Sequence, residues 1–223
     1  MNISESKNKI CAIIPFYNEK STLKKIVSDT LNFVDLIILV NDGSTDNWQE
    51  EIPKVENIHL ISNEINLGKG TALKLGFQKS IELKTLVTIT LDADLQHDPK
   101  QIPNFLNNIE NYDCIIGKRK ITNSQMPFQR RVSNYLTSKL LSLKTGRKIF
   151  DSQSGYRVFK TNILENILPK FSGFEAESEI IVKLCKNNYS LGFTDIPTIY
   201  GNENSKMRAI PTIFGFVKVL LKV

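Results

Sequence analysis

Two carboxylates one residue apart, Asp92 and Asp94, follow a short β-branched and apolar run that begins at Leu86. The run is typical of a buried strand, and Pro99 suits the first turn of a helix. Open α/β sheets bind ligands at the carboxyl ends of such strands. Asp92, Asp94 and Gln96 offer the oxygen ligands that a hard divalent cation prefers, and such a cation would hold a diphosphate. An isolated Asp-x-Asp more often marks a simple turn, so the surrounding motifs decide its meaning.

Three further polar motifs lie where predicted strands end or a predicted helix begins. The segment 15–19 supplies an aromatic ring and a carboxylate, and Asp42, in an Asp-Gly-Ser turn, supplies a carboxylate for the polar edge of a base. Lys69 lies between Gly68 and Gly70 just before a helix N-terminus, where a phosphate is favoured. The spacing is neither that of a P-loop nor that of a dinucleotide fold. Each motif alone is weak, but together they indicate a nucleotide site.

Strands and helices alternate through the first half of the chain. Apolar runs separated by amphipathic segments predict five strands, at 9–14, 36–40, 57–61, 86–92 and 114–116. Pro15 is expected to end the first strand, and helices are expected over 70–83 and 99–109. This alternation predicts an α/β fold with a mostly parallel central sheet flanked by helices.

The second half of the chain is less regular. A polar, basic segment over 118–129 predicts a loop, and 130–143 predicts a helix. Four apolar residues of that helix share one face: Val132, Leu136, Leu140 and Leu143. Residues 155–159 are typical of a strand and 175–185 of a helix. The amphipathic tail, 207–223, is apolar with basic residues spaced through it, so it would either pack on its own domain or contact a membrane interface.

Composition places the chain among ordinary globular proteins. It has 223 residues, of which 41% are hydrophobic and 23% charged, enough for an ample core. No segment rich in Pro, Gly or Ser indicates a linker between domains, so we expect one domain over 1–223. Cys11, Cys114 and Cys185 are far apart, which is neither a disulfide framework nor a zinc spacing and suits a reducing cytosol.

Charge and hydropathy narrow the partners and the location. The net charge of +6 favours anionic partners such as phosphates or acidic lipid headgroups. Aromatic residues are not interleaved with basic clusters, so we expect no nucleic-acid partner. The N-terminus is too polar for a signal peptide, and no apolar stretch reaches the roughly 18 residues of a membrane span. We therefore expect a cytoplasmic protein, at the cytoplasmic membrane face if its tail contacts lipid.

Four ordered motifs closely resemble those of family 2 glycosyltransferases: Ile14–Glu19 (IPFYNE), Val40–Ser44 (VNDGS), Asn66–Gly70 (NLGKG) and Leu91–Pro99 (LDADLQHDP). The likeness is greatest to the branch of dolichol-phosphate mannose synthases and polyprenol-phosphate glycosyltransferases. It continues through three motifs of the second half, at 116–119, 151–157 and 200–206, and so covers nearly the whole chain. The resemblance implies a single GT-A type domain, a UDP- or GDP-linked sugar as donor, Mg²⁺ or Mn²⁺ as cofactor, and inversion at the anomeric carbon.

The resemblance also assigns roles to residues, with about 8–117 as the nucleotide-sugar-binding half and about 118–206 as the acceptor-side half. The nucleotide sugar would be bound by eight residues: Pro15, Tyr17, Glu19, Asp42, Gly68, Lys69, Asp92 and Ala93. The metal would be held by Asp92, Asp94 and Gln96. Catalytic roles near the diphosphate would fall to Asp94, Arg157 and Lys206, and acceptor binding to Arg119, Arg131 and Ser154.

The implied chemistry is a displacement in which the departing nucleoside diphosphate gains negative charge, which a metal and cationic side chains stabilise. A lipid phosphate acceptor is already anionic and needs cations, for which Arg130 is a further candidate. A sugar hydroxyl would instead need a carboxylate as base, and Glu175, Glu177 and Asp98 are the candidates. We predict transfer to a polyprenyl phosphate, with transfer to a glycan or polysaccharide hydroxyl as the alternative.

Two other classes match parts of the sequence. Asp92-x-Asp94 occurs in the nucleophile loop of haloacid-dehalogenase-like phosphatases, but that loop lies near the N-terminus and carries a hydroxyl residue where Gln96 stands. A non-catalytic nucleotide-sugar-binding module would bind the donor without turning it over. Both are remote alternatives to a transferase.

Overall fold

The computed structural model describes residues 9–119, 128–197, 199 and 209–223, with the backbone alone at 128–130 and 209–214. Among the predicted site residues, Lys206 lies outside the described residues, as does the side chain of Arg130. Most of the loop predicted over 118–129 and the first residues of the tail also fall outside them.

Seven strands form one sheet in the order β3-β2-β1-β4-β6-β5-β7. Their bounds are β1 Ile10–Phe16, β2 Leu36–Asp42, β3 Ile58–Asn63, β4 Val87–Thr90, β5 Cys114–Arg119, β6 Arg157–Lys160 and β7 Leu191–Ile196. Among the described strands, only β6 runs antiparallel to its neighbours β4 and β5, and the other pairings are parallel. The prediction of an α/β fold with a mostly parallel sheet is confirmed.

Helices cover both faces of the sheet. Their bounds are α1 Lys20–Leu31, α2 Lys69–Glu82, α3 Ile102–Leu106, α4 Phe128–Thr145, α5 Leu164–Ile167, α6 Ala176–Lys186 and α7 Ala209–Lys222. Within the described residues, no helix is long and apolar enough to cross a bilayer.

Two boundaries of secondary-structure elements that we predicted from the sequence are wrong, in each case because of a proline. β1 continues through Pro15 to Phe16, since its pairing with β4 already stops at Ile13 and Thr90 and the missing N–H interrupts no bond of that ladder. The helix predicted over 99–109 is broken into a 3₁₀ turn, the short α3 and another 3₁₀ turn. Pro103 cannot donate the helical hydrogen bond that would join the first two pieces.

The core consists of two apolar layers, one on each face of the sheet. Ile13 and Ile38 face one layer, and their neighbours Ile14 and Ile37 face the other. Because successive strand side chains point to opposite faces, both layers draw on the same strands. All of β2 is buried, as its uninterrupted apolar sequence predicts for a covered parallel strand.

Helix α4 is oriented against its own hydrophobic pattern. The four apolar residues predicted to share a face do share one, but every one of them is exposed. The buried side of the helix carries Asn134, Ser138 and Leu141. This polar side packs on the loop before β6, whose backbone groups need hydrogen-bond partners.

Candidate active site

The site lies at the edge of the sheet where the parallel strands end. β6 runs in the opposite direction, so the loop before it meets the loop after β4 at this edge, and Thr90 pairs with Arg157 at the meeting point. The acidic loop that follows β4 and the segment 151–156 are thereby brought together. The sheet thus joins motifs from the two predicted halves of the chain.

Lys69 links three elements of this edge. Its Nζ lies 2.6 Å from Asp92 Oδ1 after β4 and 2.7 Å from Glu177 Oε1 in the first turn of α6. Burial alone would lower the pKa of Lys69, but the two carboxylates outweigh it, so this pKa is raised above its usual value. Lys69 therefore carries a fixed positive charge at neutral pH.

Asp92 is ionised and closely surrounded. Burial raises the pKa of its carboxyl, but Lys69 and the other neighbouring cationic groups together outweigh burial, so the pKa is below the usual value. A Cβ atom added to Gly155 would lie 2.8 Å from Asp92 Oδ2 and 3.0 Å from Lys69 Nζ. Glycine at position 155 therefore allows the backbone to approach the ion pair.

His97 contacts the acidic loop that follows β4. It is buried, and its Nδ1 accepts a hydrogen bond from the backbone N–H of Asp92 at 3.4 Å, which assigns the proton to Nε2. Burial is the main cause that lowers the pKa of His97, to about 4, so the imidazole is neutral at pH 7. Its ring packs 5.2 Å from that of Tyr156, on the other side of the site.

Asp94 and Gln96 form a tight turn. Asp94 Oδ1 accepts the backbone N–H of Gln96 at 3.0 Å, and Leu95 between them has a φ of +60°. A non-glycine residue in the left-handed region costs about 1 kcal/mol or more and is concentrated at functional sites. The hydrogen bond and the left-handed Leu95 together define the backbone turn that carries Asp94 and Gln96.

The oxygen donors of this turn fit a hard divalent cation that is completed by its substrate. In the described part of the chain, no three His, Cys, Asp or Glu residues are grouped to enclose a metal ion. Mg²⁺ is usually held by one or two carboxylates together with substrate phosphates, which matches Asp94 with Gln96. Asp92 is paired with Lys69, and direct ligation of a cation by Asp94 and Gln96 stays a prediction.

Asp42 has a different environment from the one predicted. It is buried, and its carboxylate accepts the backbone N–H of Leu67 at 2.9 Å, that of Gly68 at 2.8 Å, and the Asn63 side-chain amide at 3.1 Å. It therefore holds the loop before α2. The Asp42 carboxylate, which we predicted to contact the nucleotide base, is hydrogen-bonded to this loop.

The N-terminus of α2 is also covered. The backbone N–H groups of Gly70 and Thr71 donate to the Ser172 carbonyl, at 2.6 and 3.3 Å. A Cβ at Gly68 would lie 2.5 Å from the same oxygen, so this glycine permits close packing. Of the three residues predicted to contact a phosphate, Gly68, Lys69 and Gly70, it is Lys69 whose side chain extends into the site.

Arg157 supports the site from inside the protein. Its side chain is 2% exposed and donates to three backbone carbonyls, those of Ser154, Glu177 and Ser152, at 2.9, 2.9 and 3.1 Å. These bonds tie the loop before β6 to the first turn of α6. The geometry makes Arg157 a residue that positions this loop, and its catalytic role near the diphosphate stays a prediction.

The predicted acceptor residues lie around the same loop. Arg119 forms a two-pronged ion pair with Asp151, with N–O distances of 2.7 and 2.9 Å. Ser154 is fully buried, and its hydroxyl has no hydrogen-bond partner among the described residues. Arg131 is exposed on α4. An unsatisfied buried hydroxyl beside Gly155 is the polar group that a ligand would complete.

The remaining predicted residues lie along β1 and the acidic loop. Pro15 is within β1, Ala93 is buried between the two carboxylates, and Tyr17 is half-exposed. Glu19 precedes α1, and its carbonyl accepts the Thr22 backbone N–H at 3.1 Å. These residues occupy the same edge of the sheet as Asp92.

Sequence reasoning gave no structural role to three residues that build this site. Gly155 and Asp151 are within the motif 151–157, and Glu177 was considered only as a base for a hydroxyl acceptor. The available signal in the sequence was a glycine and acidic residues near Arg157. Their contact partners are distant in the sequence, so the sequence pattern did not reveal the contacts.

Among the described strands, one antiparallel strand beside an acidic loop in an otherwise parallel α/β sheet is an arrangement of the GT-A type. Residues 11–168 match the family described as Glycosyl transferase family 2, and the chain belongs to it. The predicted family and enzyme class are thereby confirmed.

Named relatives and solved structures extend this result. The chain is 32% identical, over 93% of its length and 92% of the relative's, to UDP-N-acetylglucosamine–dolichyl-phosphate N-acetylglucosaminyltransferase of Methanococcus voltae. It is 30% identical, over 75% of its length and 54% of the relative's, to undecaprenyl-phosphate 4-deoxy-4-formamido-L-arabinose transferase of Proteus mirabilis. Its fold is similar to glucosyl-3-phosphoglycerate synthase of Mycobacterium tuberculosis, solved with Mn²⁺ and UDP-glucose, with a TM-score of 0.71, 15% identity, and coverage of 97% and 78% of the two chains.

Proposed function

We propose that this enzyme transfers a sugar from a nucleotide-diphosphate donor to a polyprenyl-type phosphate, with inversion and with a divalent cation. The observation that carries the proposal is the likeness to the M. voltae enzyme, whose name gives dolichyl phosphate as its acceptor and which matches almost end to end. The P. mirabilis relative is likewise named for a polyprenyl phosphate.

The geometry of two of the three candidate bases, Glu177 and Asp98, favours a phosphate acceptor over a hydroxyl. Glu177 is buried and ion-paired with Lys69, and Asp98 accepts the backbone N–H of Lys100 at 3.0 Å as a helix cap. A hydroxyl acceptor needs a carboxylate that can take up its proton. A phosphate oxygen is anionic at neutral pH and attacks without one.

Asp94 and Gln96 would hold the cation, and Lys69 supplies a second positive charge beside Asp92. The cation would neutralise the charge that develops on the departing diphosphate, an effect worth several kcal/mol. The structural relative solved with Mn²⁺ and UDP-glucose supports a UDP-linked sugar as the first donor to test, with a GDP-linked sugar as the second.

In the proposed step, an oxygen of the acceptor phosphate forms a bond to the anomeric carbon on the face opposite the donor diphosphate. The bond between that carbon and the diphosphate oxygen breaks, and the nucleoside diphosphate leaves with the electron pair. One displacement inverts the anomeric centre.

The test is a transfer assay with labelled UDP- and GDP-sugars as donors. The acceptor is either a polyprenyl phosphate or a glycan with free hydroxyl groups, and each reaction is run with Mn²⁺, Mg²⁺ or a chelator. We expect metal-dependent, chloroform-extractable product from polyprenyl phosphate. Exclusive transfer to the hydroxyl acceptor would overturn the lipid assignment. Donor binding without hydrolysis or transfer under any condition would indicate a binding module.

A further inference from the structure

Strand β3 forms one edge of the sheet. Within the described residues it pairs on one side only, with β2, in a continuous parallel register from Ile58 to Asn63. An edge strand presents backbone N–H and C=O groups that can pair with another chain, and natural edges are usually protected by a charged residue, a proline or a bulge. The sequence of β3, IHLISN, contains no Asp, Glu, Lys, Arg or Pro. This edge therefore lacks the usual protection.

The ladder with β2 decides which backbone groups reach the free edge. The Ile37 N–H donates to the Asn57 carbonyl at 2.8 Å. In a parallel pair, alternate residues of a strand bond to the same neighbour, so the odd-numbered residues of β3 all face β2. Leu60 and Ser62 therefore turn their N–H and C=O groups away from β2, towards the free edge.

Exposed apolar side chains border this edge. Leu60 is 48% exposed within β3, Val55 is exposed in the turn before the strand, and Ile65 and Leu67 are exposed in the loop after it. Exposed apolar groups that cluster on a surface mark an interaction site. Together with the unpaired backbone of Leu60, they favour a partner that is itself an extended, apolar strand.

The charge of the region allows two copies of the chain to meet. Residues 54–67 include one basic residue, Lys54, and two acidic residues, Glu56 and Glu64. The local charge is thus close to zero in a chain whose net charge is +6, so repulsion between two copies is small at this edge. The other edge strand, β7, contains Asp195, which is ion-paired with Lys118. Of the two edges, β3 is the one without charge in its strand.

Antiparallel pairing of two β3 edges has few possible registers. Outward backbone groups must meet outward backbone groups, so Leu60 lies opposite Leu60, Ser62 or Ile58 of the second copy. With Leu60 opposite itself, Glu56 is directed towards Glu64 of the second copy, and like charges across a strand pair are destabilising. With Leu60 opposite Ser62, the apolar Ile58 lies opposite Glu64. Both of these registers are disfavoured.

We propose that two copies of the chain associate through antiparallel pairing of β3, with Leu60 of each copy opposite Ile58 of the other. Two-fold symmetry forms this apolar pair twice. Each Leu60 N–H donates to the Ile58 carbonyl of the second copy, and Lys54 is directed towards Glu64, which has the opposite charge. The Ile58 N–H makes only a long bond, 3.4 Å, to the Val55 carbonyl, so it can donate to the Leu60 carbonyl of the second copy.

This pairing joins the two sheets edge to edge. Strands β2 and β1 separate β3 from β4, so the interface lies away from the acidic loop after β4. Because the strands of the two copies run in opposite directions, the two active sites open at opposite edges of the joined sheet. The contact uses the same edge of both copies and therefore closes as a dimer. The inference does not depend on the proposed function.

The test is the mass of the full chain in solution, measured by light scattering after size exclusion at several protein concentrations. We expect a dimer whose fraction rises with concentration. Leu60→Pro removes an N–H that points to the free edge and leaves the ladder with β2 intact, so it should abolish the dimer. Leu60→Val keeps both the N–H and an apolar side chain, and it should remain dimeric.

A second pair of variants tests the side chain. Leu60→Lys places a charge at the centre of the pair and should also abolish the dimer. Leu86→Lys makes the same change at a leucine of similar exposure before β4, 54% against 48%, and should remain dimeric. Thermal unfolding shows whether each variant is folded, and Leu60→Lys decides the outcome if Leu60→Pro does not fold.

Amide-resolved hydrogen exchange locates the contact. We expect the Leu60 amide to be protected in the dimer and to lose this protection on dilution and in Leu60→Lys. The Ile61 amide faces β2 and should stay protected in both states. Wild-type protein that is monomeric at every concentration would overturn the proposal. So would a dimer that persists in both Leu60→Pro and Leu60→Lys, a dimer that Leu86→Lys dissociates equally, or a dimer in which the Leu60 amide is not protected.

Discussion

Lys69 Nζ lies 2.6 Å from Asp92 Oδ1, and this ion pair fastens the first turn of α2 to the acidic loop. The same ammonium lies 2.7 Å from Glu177, so one cation serves two carboxylates, of which Glu177 is buried and Asp92 is partly buried. The charge near the donor site is therefore in place before any ligand arrives. Preorganised charge of this kind costs no rearrangement during the reaction.

Lys69→Met should destabilise the protein, because it leaves the buried Glu177 and the partly buried Asp92 without their cation. Removing one partner of a buried pair typically costs about 3–5 kcal/mol. Urea denaturation measures the free energy of unfolding, and Lys25→Met, which breaks an exposed pair with Asp29, is the control. Equal effects of the two variants would contradict the role of Lys69.

Gly155→Ala should disturb the Asp92–Lys69 pair, since its Cβ would lie within 3.0 Å of both side chains. A displacement of about 1 Å at a reacting group reduces rate by up to roughly 100-fold. We expect a loss of kcat/KM of this order. Gly146→Ala is the control: its φ of +67° makes it cost about 1 kcal/mol of stability, but it has open space around it and should leave activity unchanged.

Asp94→Ala should abolish the metal-dependent stabilisation of the protein by a nucleotide-sugar donor. The variant removes the carboxylate at the turn that would hold the cation. Thermal shift with UDP- or GDP-sugar, with and without Mn²⁺, measures this effect, and Asp29→Ala is the exposed acidic control. Undiminished stabilisation in Asp94→Ala would refute the metal assignment.

Ser154→Ala should leave folding unharmed, because the buried hydroxyl has no partner among the described residues. An unsatisfied buried polar group costs about 1–3 kcal/mol, so stability should stay equal or rise. If the hydroxyl binds the acceptor, KM for the acceptor rises while KM for the donor does not change. Steady-state kinetics with each substrate varied in turn distinguishes this from a loss of folding.

The order of residues along the strands made the convergence of the polar motifs at one edge of the sheet predictable. Parallel strands end at one edge, so the motifs after β1, β2 and β4 had to converge. Their hydrogen-bond partners were not predictable, because Asp42 is engaged by the loop at Leu67 and Gly68, a contact that depends on packing of α2.

The orientation of α4 shows a second limit. Periodicity indicates that a helix has an apolar side, but it does not tell whether that side faces the core. Here the inner contacts are made by Ser138 with the loop at Ser152, so polar residues are inside. The direction of β6 was likewise undetermined, since a lone strand sequence carries no sign of parallel or antiparallel pairing.

Stability should fall in acid through Asp151. Burial raises the pKa of this carboxyl, but the charge of Arg119 and the hydrogen bonds from Arg119 and Gln153 together outweigh burial, so the folded pKa is below the usual 3.8. A carboxyl with a depressed pKa contributes stability that is complete above 3.8 and is lost as the pH falls through the folded value. Urea denaturation between pH 5 and about 2 should show a shallower pH dependence for Asp151→Asn than for wild type. Identical slopes would exclude Asp151 as the titrating group.

The position of β6 in the sheet also determines the order in which the protein can assemble. β5 and β7 have no place beside β4 until β6 has been synthesised and inserted between them. A nascent chain that ends before Arg157 therefore carries the four parallel strands β3-β2-β1-β4 with one bare edge at β4. Unpaired strand edges invite association with other chains. When the four residues of β6 pair with β4, they cover this edge and bring Gly155 next to Asp92.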